Sequence, residues 1–458
     1  MPTVPSCLIS ILPITAVKHP QPRGFLLAIA DSQGIKRGPL PLMRTAFSLS
    51  LALLGSLHAL AGDCWPQFRG PSQNGVADAS DLPLKWSESE AVTWKTPIPG
   101  EGWSSPVVTN GQVWLTTSLD EGRSLRAVCV DAEKGSIIRD IEIFKNESPP
   151  PKHKRNSYAS PTGILDGDLF FAHFGSMGTA CIDTKAGSIR WENRDLQVDH
   201  QNGPGGSITH WKDKLLIACD GTDLQYEVAL DKLTGKIAWK TPRSALPELG
   251  KLPGDMRKAY GTPVLLPIDG RTLSLTTASN RLYALDPENG KEVWHFDYPH
   301  GFSNVPLPVS DGKVMVVSTG FMKPILVGIK VGGAKGDATQ SHLLWKQPAG
   351  APDQCSPIIV GNRVYVTTSG GILSCLNLQT GQIVWKERIG SDFAASPILG
   401  AGRLYFFAAG GPCTVIEPGD TFKKLAENTL DEGCMASPAV VGKSLIVRTK
   451  THLYRIGK

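Results

Sequence analysis

An eleven-residue block recurs five times in this chain and constrains its fold more than any other feature of the sequence. Each copy opens with a small or apolar residue, carries Asp or Asn third and Gly seventh, and all but one end with Trp. The copies are Cys129–Arg139, Cys181–Trp191, Ala229–Trp239, Ala284–Trp294 and Cys375–Trp385. The pattern is typical of a β-hairpin, because the Asp or Asn side chain can accept bonds from the turn amides and Gly can adopt a positive φ. A hairpin repeated at intervals of roughly 40 to 55 residues predicts an array of similar units.

The rest of the repeat lies upstream of this block. A Ser-Pro or Thr-Pro pair precedes an apolar run at Ser105, Ser160, Thr262, Ser356, Ser396 and Ser437, and Gly206-Ser207 and Val305-Pro306 fill the two remaining slots. Tight turns such as Asn110-Gly111 and Asp166-Gly167 then lead into a second apolar strand. Four strands in each repeat are typical of a propeller blade.

Eight second strands can be counted. They are predicted at 113–117, 169–172, 215–219, 273–277, 314–318, 364–368, 404–407 and 445–448. The sequence therefore predicts an all-β protein, an eight-bladed β-propeller of four-stranded antiparallel blades. The alternative is a β-sandwich with chance Gly-Asp turns, but five blocks in identical register disfavour it.

The ring is predicted to close through an N-terminal strand. The last repeat stops soon after its third strand, and Ala91 to Ile98 contains Val92-Thr93-Trp94-Lys95, which copies the ends of the other blocks. Pairing this strand into the last blade removes an exposed edge. Block-ending tryptophans are expected to dock between neighbouring blades; they are Trp94, Trp191, Trp239, Trp294, Trp345 and Trp385.

The block Ala229–Trp239 resembles, position by position, the tryptophan-docking motif of quinoprotein dehydrogenases and their non-catalytic relatives. From about Trp65 onward, including the lead-in Trp65-Pro66-Gln67-Phe68-Arg69-Gly70-Pro71, the chain is similar to the secreted PQQ-like propeller proteins of planctomycetes and related bacteria, and more distantly to BamB-type assembly factors. The resemblance implies an eight-bladed propeller and little about activity.

The N-terminus is predicted to direct export. Met43-Arg44 precedes an apolar stretch, and Ala59-Leu60-Ala61 satisfies the cleavage rule of a signal peptide. The predicted segments are an upstream extension at 1–42 that translation from Met43 would omit, a signal peptide at 43–61, a lead-in packed on the propeller at 62–90 and the propeller at 91–458. A buried helix is the alternative for the leader, and a lipoprotein is disfavoured because Asp63 precedes Cys64. A periplasmic or secreted location is expected.

Charge does not favour an anionic partner. Residues 1–61 hold five of the 47 Lys and Arg and one of the 42 Asp and Glu, which leaves 42 basic and 41 acidic residues in the mature chain. We therefore expect no binding to nucleic acid. No stretch of the mature chain is apolar over the roughly 18 residues that a membrane helix requires, so no membrane span is expected. We expect a monomer. Cys129, Cys181 and Cys375 occupy small buried slots and are expected to be packed thiols, although disulfides remain an alternative.

Candidate binding residues lie on the face that carries the longer loops, because loops longer than closure demands often serve binding. Lys154, Arg155 and Asn156 could bind a carboxylate, a phosphate or a sugar hydroxyl. His173 lies in a Gly-bounded hairpin, Asp220 and Asp223 could ligate a hard cation such as calcium, and Lys323 lies in the loop from Gly320 to Pro324. Structural roles are the alternatives. The basic residues would then belong to a solvated loop, His173 would be a core histidine, and Asp220 and Asp223 would cap a turn.

These features predict a non-catalytic module that binds a small polar ligand or an envelope protein. The alternative is a PQQ-dependent oxidoreductase. The resemblance implies that such enzymes hold PQQ against a vicinal Cys-Cys disulfide and a Trp, with calcium and an Asp base. No Cys-Cys pair occurs in this sequence, so PQQ and calcium would need a cofactor site formed by different residues. A scaffold should expose an apolar patch, whereas a small-molecule site should form a deep polar funnel.

Overall fold

The computed structural model describes residues 64–243 and 251–458. The predicted upstream extension and signal peptide lie outside the described residues. Strand β1 (Val92–Pro97) precedes eight antiparallel repeats, which we call blades 1 to 8 in chain order. Helical structure in the described ranges consists of short 3-10 turns at Asp120–Gly122 and Gly254–Met256, and none of it is long and apolar enough to cross a lipid bilayer.

Blades 1 to 4 each contain four consecutive strands. Blade 1 contains β2 (Val107–Thr109), β3 (Gln112–Leu119), β4 (Ser124–Asp131) and β5 (Ile137–Lys145). Blade 2 contains β6 (Ile164–Asp166), β7 (Leu169–His173), β8 (Thr179–Asp183) and β9 (Ile189–Asn193). Blade 3 contains β10 (Thr209–Trp211), β11 (Lys214–Asp220), β12 (Gln225–Asp231) and β13 (Ile237–Pro242). Blade 4 contains β14 (Val264–Ile268), β15 (Arg271–Ala278), β16 (Arg281–Leu285) and β17 (Glu292–Asp297).

Blades 5 to 8 follow the same plan with two variations. Blade 5 contains β18 (Val309–Ser310), β19 (Val314–Ser318), β20 (Leu326–Lys330) and β22 (Leu343–Gln347), while β21 (Gly336–Asp337) pairs in parallel with β17 of blade 4. Blade 6 contains β23 (Ile358–Val360), β24 (Arg363–Thr367), β25 (Ile372–Asn377) and β26 (Ile383–Arg388). Blade 7 contains β27 (Ile398–Gly400), β28 (Arg403–Phe407), β29 (Pro412–Glu417) and β30 (Lys423–Thr429). Blade 8 contains β31 (Ala439–Val441), β32 (Ser444–Arg448) and β33 (His452–Gly457), and its fourth strand is β1.

The predicted architecture is confirmed. Eight antiparallel sheets form the propeller, and β1 pairs with β33, so the N-terminal strand completes the last blade as predicted. All eight predicted second strands are present, from β3 to β32. First strands of neighbouring blades lie side by side, as β2 does with β6 and with β31, so the first strands surround the central axis.

The recurring block forms the turn that its residues predict. Asp131 Oδ1 accepts bonds of 2.9 Å from the backbone N–H groups of Glu133 and Lys134, and Gly135 has a φ of 72°. Asp183, Asp231, Asp286 and Asn377 accept equivalent bonds in their own blocks. The polar third residue therefore holds the turn, and the glycine provides a backbone conformation that other residues rarely adopt.

Most of the predicted tryptophans dock on the following blade. The Nε1 groups of Trp94, Trp191, Trp239, Trp345 and Trp385 each donate to a backbone carbonyl oxygen there, over 2.9 to 3.1 Å. Trp294 is also buried, but its Nε1 has no partner in the described part of the chain, and β21 lies beside it. In blade 1, Arg139 takes the place of the tryptophan and donates from Nε to the Thr184 carbonyl oxygen at 3.3 Å.

Small buried residues fill the slot at the start of each block. Cys129, Cys181 and Cys375 are buried thiols without disulfide bonds, which confirms that prediction. Burial raises the pKa of the Cys129 and Cys181 thiols to about 12 and that of Cys375 to about 11. A thiol in this environment is packed against apolar neighbours and stays protonated.

Candidate functional site

A deep cavity of about 820 Å³ lies on the central axis of the propeller. Its wall is formed by the residues that immediately precede the first strands and by loops from several blades. Ten serine or threonine side chains line it. A volume of this size is typical of small-molecule sites.

The wall contains a ring of hydroxyl groups from almost every blade. We define the hydroxyl ring by its residues: Ser105, Thr162, Ser207, Thr262, Ser356, Ser396 and Ser437. Each stands two positions before the first strand of its blade, and blade 5 has Leu307 there instead. The structure thus corrects two predicted slots, because Thr162 and Leu307 occupy the positions that the Ser160 and Val305 pairs were expected to fill.

Hydrogen bonds within the hydroxyl ring join neighbouring blades. The backbone N–H of Ser105 donates to Thr162 Oγ1 at 3.0 Å, and that of Ser396 donates to Ser437 Oγ at 2.8 Å. Four further bonds of this kind, 2.9 to 3.0 Å long, start at the N–H groups of Thr162, Ser207, Leu307 and Ser356. Each accepting hydroxyl keeps its own hydrogen and a lone pair for another partner. The ring therefore stabilises blade contacts and still offers donors and acceptors to the cavity.

The floor of the cavity is built by the lead-in, in a segment that we call the channel segment (residues 65–76). Trp65 pairs with Val108 of blade 1, and Leu165 of blade 2 donates its N–H to the Pro66 carbonyl oxygen at 2.9 Å. At the other end, the N–H of Leu399 in blade 7 donates to the Gly75 carbonyl oxygen at 2.9 Å. Phe68, between these anchors, lines the cavity.

Two buried polar side chains hold the middle of the channel segment. Gln73 Nε2 donates to Thr209 Oγ1 and to the Pro263 carbonyl oxygen, both at 3.0 Å. Arg69 Nη2 donates to the Pro357 carbonyl oxygen at 2.8 Å, and burial lowers the pKa of this guanidinium to about 9. The segment thus crosses the axis and contacts six blades. Its polar side chains favour this position because the innermost strands expose backbone carbonyl groups there.

An ion pair lies at the mouth. Arg155, in the loop between blades 1 and 2, contacts Asp392, in the loop between blades 6 and 7, through Nη2 and Oδ1. Both side chains are 45 % exposed, and both line the cavity. Because blades 7, 8 and 1 lie between these loops, the pair bridges part of the opening.

Aromatic side chains stand at three positions around the wall. Trp103 precedes blade 1 and donates from Nε1 to the Arg155 carbonyl oxygen at 3.2 Å. Tyr260 precedes blade 4, and its hydroxyl donates to the His200 carbonyl oxygen at 3.0 Å, so its hydroxyl hydrogen is not available to a ligand. Phe321 of blade 5 is 50 % exposed and packs edge-on against Phe302. These side chains contribute to the apolar part of the cavity surface, which is larger than the polar part.

The structure brings two of the predicted binding residues to this cavity. Arg155 and Asn156 both line it. Asn156 is engaged with the protein, since its Nδ2 donates to the carbonyl oxygens of Asn202 and Pro204 at 2.8 and 3.0 Å. Its role in this structure is to hold the loop that presents Arg155.

The other predicted residues lie away from the cavity wall. Lys154 and Lys323 are exposed. His173 is buried, with Nδ1 2.8 Å from Thr179 Oγ1, and burial lowers the pKa of this imidazole to about 3. Asp223 Oδ1 accepts bonds from the N–H groups of Asp199 and Leu224, which is a capping role.

Asp220 belongs to a buried ionic network between blades 3 and 4. Its Oδ2 accepts a bond of 2.5 Å from Arg243 Nη1, and Arg243 Nη2 also contacts Glu227. Ser274 and Thr276 of blade 4 donate to Glu227 at 2.9 and 3.0 Å. Asp220 and Asp223 therefore do not converge on one point. Among residues 64–243 and 251–458, no three His, Cys, Asp or Glu side chains cluster so that they could hold a metal ion.

Sequence reasoning missed several of the cavity residues. Trp103, Tyr260, Asp353 and Asp392 line the cavity but belong to no recognisable motif. The hydroxyl ring did leave a signal in the sequence, namely the Ser-Pro and Thr-Pro pairs that precede the first strands.

Comparisons with solved structures agree with this fold. A europium-containing methanol dehydrogenase is 12% identical, with a TM-score of 0.63, over 84% of this chain and 89% of that one. The quinohemoprotein alcohol dehydrogenase ADHIIG from Pseudomonas putida HK5 is 13% identical, with a TM-score of 0.58, over 86% and 80% of the two chains. The computationally designed Ika8 protein is 12% identical, with a TM-score of 0.54, over 79% and 98%. At these identities the likeness concerns the fold alone.

Sequence comparison identifies the family. An uncharacterised protein, RP232, of Rickettsia prowazekii (strain Madrid E) is 24% identical over 255 residues, which are 53% of this chain and only 56% of that protein's length. The family model described as outer membrane protein assembly factor BamB matches residues 76–209 and 225–458, which is most of the chain. The protein therefore belongs to the family of the outer membrane protein assembly factor BamB.

Proposed function

We propose that this protein is an exported, non-catalytic binding module whose small polar ligand occupies the central cavity. Export would use the leader predicted at residues 43–61. The observation that carries the proposal is the closed floor. Because the channel segment crosses the axis beneath the hydroxyl ring, the propeller forms a chamber lined by hydroxyl groups and apolar side chains rather than an open channel. A chamber with convergent polar groups is the usual form of a small-molecule site.

A protein-binding scaffold is the competing function, and the distribution of exposed apolar residues supports it less. Exposed apolar side chains are spread over several blades, as Ile137, Leu233 and Leu344 show, although the most exposed of them, Met322, lies beside Phe321 and does not line the cavity. Val305 and Phe321 are exposed as well, but both line the cavity, so they belong to the proposed ligand site. Single exposed apolar residues are ordinary on soluble proteins.

The residues do not fit PQQ as the dehydrogenases hold it. The sequence has no vicinal cysteine pair, and the described ranges contain no cluster of three metal-ligating side chains. We therefore derive no redox step for this chain. PQQ with calcium remains a useful probe, since it tests this alternative directly.

The test is ligand-induced stabilisation of the protein and of two matched variants. Gly370 lines the cavity, has an ordinary φ, and would place a Cβ 3.8 Å from Thr368 Oγ1, an ordinary contact, so Gly370→Trp should obstruct the cavity without strain. Gly410 occupies the same hairpin position in blade 7, has open space around it, and does not line the cavity. Gly410→Trp is therefore the control.

The proposal predicts a clear pattern in a screen of polar small molecules that includes PQQ with calcium. A cavity ligand at 100 times its Kd should stabilise the protein and Gly410→Trp by about 2.7 kcal/mol, and Gly370→Trp much less. If every stabilising compound acts equally on both variants, the ligand binds elsewhere and the cavity proposal fails. If PQQ with calcium stabilises the protein and calcium alone does not, the oxidoreductase alternative gains the support that it now lacks.

A further inference from the structure

We infer that the ligand of the central cavity is a short neutral oligosaccharide. This inference rests on the proposed function, because it assigns a chemical class to the ligand of the same cavity. Three properties of the wall carry it: its hydroxyl groups, its aromatic side chains and its lack of excess positive charge.

The hydroxyl ring suits a partner that both donates and accepts. Thr162, Ser396 and the other accepting hydroxyls each use one lone pair for a backbone N–H of the neighbouring blade. Each hydroxyl hydrogen is thereby left for a ligand, as is a second lone pair. A sugar hydroxyl is itself a donor and an acceptor, so it can complete either role. A ligand with acceptors alone would use the hydroxyl hydrogens but would leave the second lone pairs without a donor.

The aromatic side chains suit the apolar faces of pyranose rings. Trp103 and Tyr260 have their polar atoms bonded to backbone carbonyl oxygens, so what they offer the cavity is mainly ring carbon. Phe68 on the floor and Phe321 at the mouth add two further rings. The C–H groups on one face of a sugar can pack against such rings, which contribute contact area and weak C–H interactions.

The charges of the wall disfavour an anionic ligand. Arg155 and Asp392 neutralise each other across the mouth, and Asp353 accepts a bond of 3.0 Å from Ser369 Oγ. Apart from His153, these are the ionisable acidic and basic side chains that line the cavity. An anion would meet two carboxylates and one guanidinium, which is an unfavourable balance. Vicinal sugar hydroxyls, by contrast, can donate to a carboxylate and accept from a guanidinium at the same time.

Calorimetric titration with maltotriose, cellotriose and chitotriose tests this inference. The same titrations with an amino acid, a dicarboxylate, a nucleotide and PQQ with calcium form the comparison set. Trp103→Ala removes an aromatic contact, and Trp211→Ala is its control, because Trp211 is also half-buried but does not line the cavity. Gly370→Trp and Gly410→Trp report whether binding occurs in the cavity at all.

We expect at least one of the three sugars to bind, with a Kd raised about tenfold by Trp103→Ala and unchanged by Trp211→Ala. Gly370→Trp should abolish that binding, and Gly410→Trp should not. If only a compound of the comparison set binds, and Gly370→Trp blocks it, the oligosaccharide inference is overturned while the binding function stands. If no compound binds, or if Gly370→Trp leaves binding unchanged, the inference and the proposed function both fail.

Discussion

The indole of Trp191 in blade 2 lies against Gly235 of blade 3 and donates from Nε1 to the Lys232 carbonyl oxygen at 2.9 Å. Equivalent contacts recur at other blade boundaries, where Gly135 lies against Trp94 and Gly381 against Trp345. The glycine of one block is thus the docking surface for the tryptophan of the block before it. This pairing explains why both residues stand at fixed positions of the same repeat.

Gly235→Ala is expected to destabilise the protein by roughly 2–4 kcal/mol. The added Cβ would lie 2.4 Å from Trp191 Cε3, and φ at this position is +70°. Gly167→Ala is the control, since its φ is +59° but no heavy atom lies within 4 Å of the added Cβ. Urea unfolding of both variants separates the cost of placing alanine at a positive φ from the cost of the steric clash with Trp191. Equal losses in the two variants would contradict a packing role for the indole.

Arg139→Trp is expected to fold and to be at least as stable as the natural protein. Arg139 occupies the docking slot of blade 1, with its Nε bonded to the Thr184 carbonyl oxygen and its guanidinium over Gly187. A tryptophan fits this slot at other boundaries, and replacement by the repeat's common residue often stabilises a protein by about 0.5–2 kcal/mol. Arg139→Ala, which empties the slot, should lower stability instead. Thermal unfolding of the natural protein and the two variants ranks their stabilities. If the tryptophan variant is less stable than the alanine variant, the docking slot of blade 1 differs from the slots that hold tryptophan at other boundaries.

Gln73→Leu is expected to destabilise the protein by roughly 1–3 kcal/mol. The amide of Gln73 bonds to Thr209 and Pro263, and its Oε1 accepts from the N–H of Leu265 at 3.1 Å. Leucine would remove these bonds and leave the N–H of Leu265 without its partner, whereas Thr209 Oγ1 would still donate to the Pro263 carbonyl oxygen. Gln197→Leu is the control, because Gln197 is exposed, and surface changes of this kind usually stay within about 0.5 kcal/mol. Similar small losses for both variants would mean that the channel segment adds little to the stability of the ring.

The propeller was predictable from the sequence because its signals are local. The Asp or Asn, the Gly and the Trp of one block lie within eleven residues, and the turn they form depends on little else. The replacement of Trp by Arg139 preserves the docking contact through a chemically different side chain, so a search for tryptophan alone overlooks it. The position of the channel segment was harder to predict from the sequence, because Arg69 bonds to carbonyl groups of residues almost 290 positions away.

The candidate site was predicted only in part for the same reason. Arg155 and Asn156 stood out as members of a basic loop, but the partner of Arg155 is Asp392, 237 residues further on. Asp220 stood out beside Asp223, and the sequence could not reveal that Arg243 and Glu227 would fold onto it. Local patterns therefore identified the elements of the ring, whereas the cavity depends on which residues the ring brings to its axis.

The buried network of Asp220, Arg243 and Glu227 is expected to make stability depend on pH. Two carboxylates share one guanidinium, and burial raises the pKa of Asp220 to about 6 from an ordinary value of 3.8, against the opposing effect of Arg243. Because the folded-state pKa lies above the unfolded one, the stabilisation from protonating Asp220 is fully present below pH 3.8 and is lost as the pH rises through 6. Between pH 7 and pH 4 this group should contribute a gain of roughly 2–3 kcal/mol on acidification. Asp220→Asn removes the titration, so the difference in unfolding free energy between the natural protein and this variant should change with pH in that direction. Chemical denaturation at pH 4, 5, 6 and 7 measures it, and a difference that stays constant across this range would show that Asp220 keeps one protonation state in the folded protein.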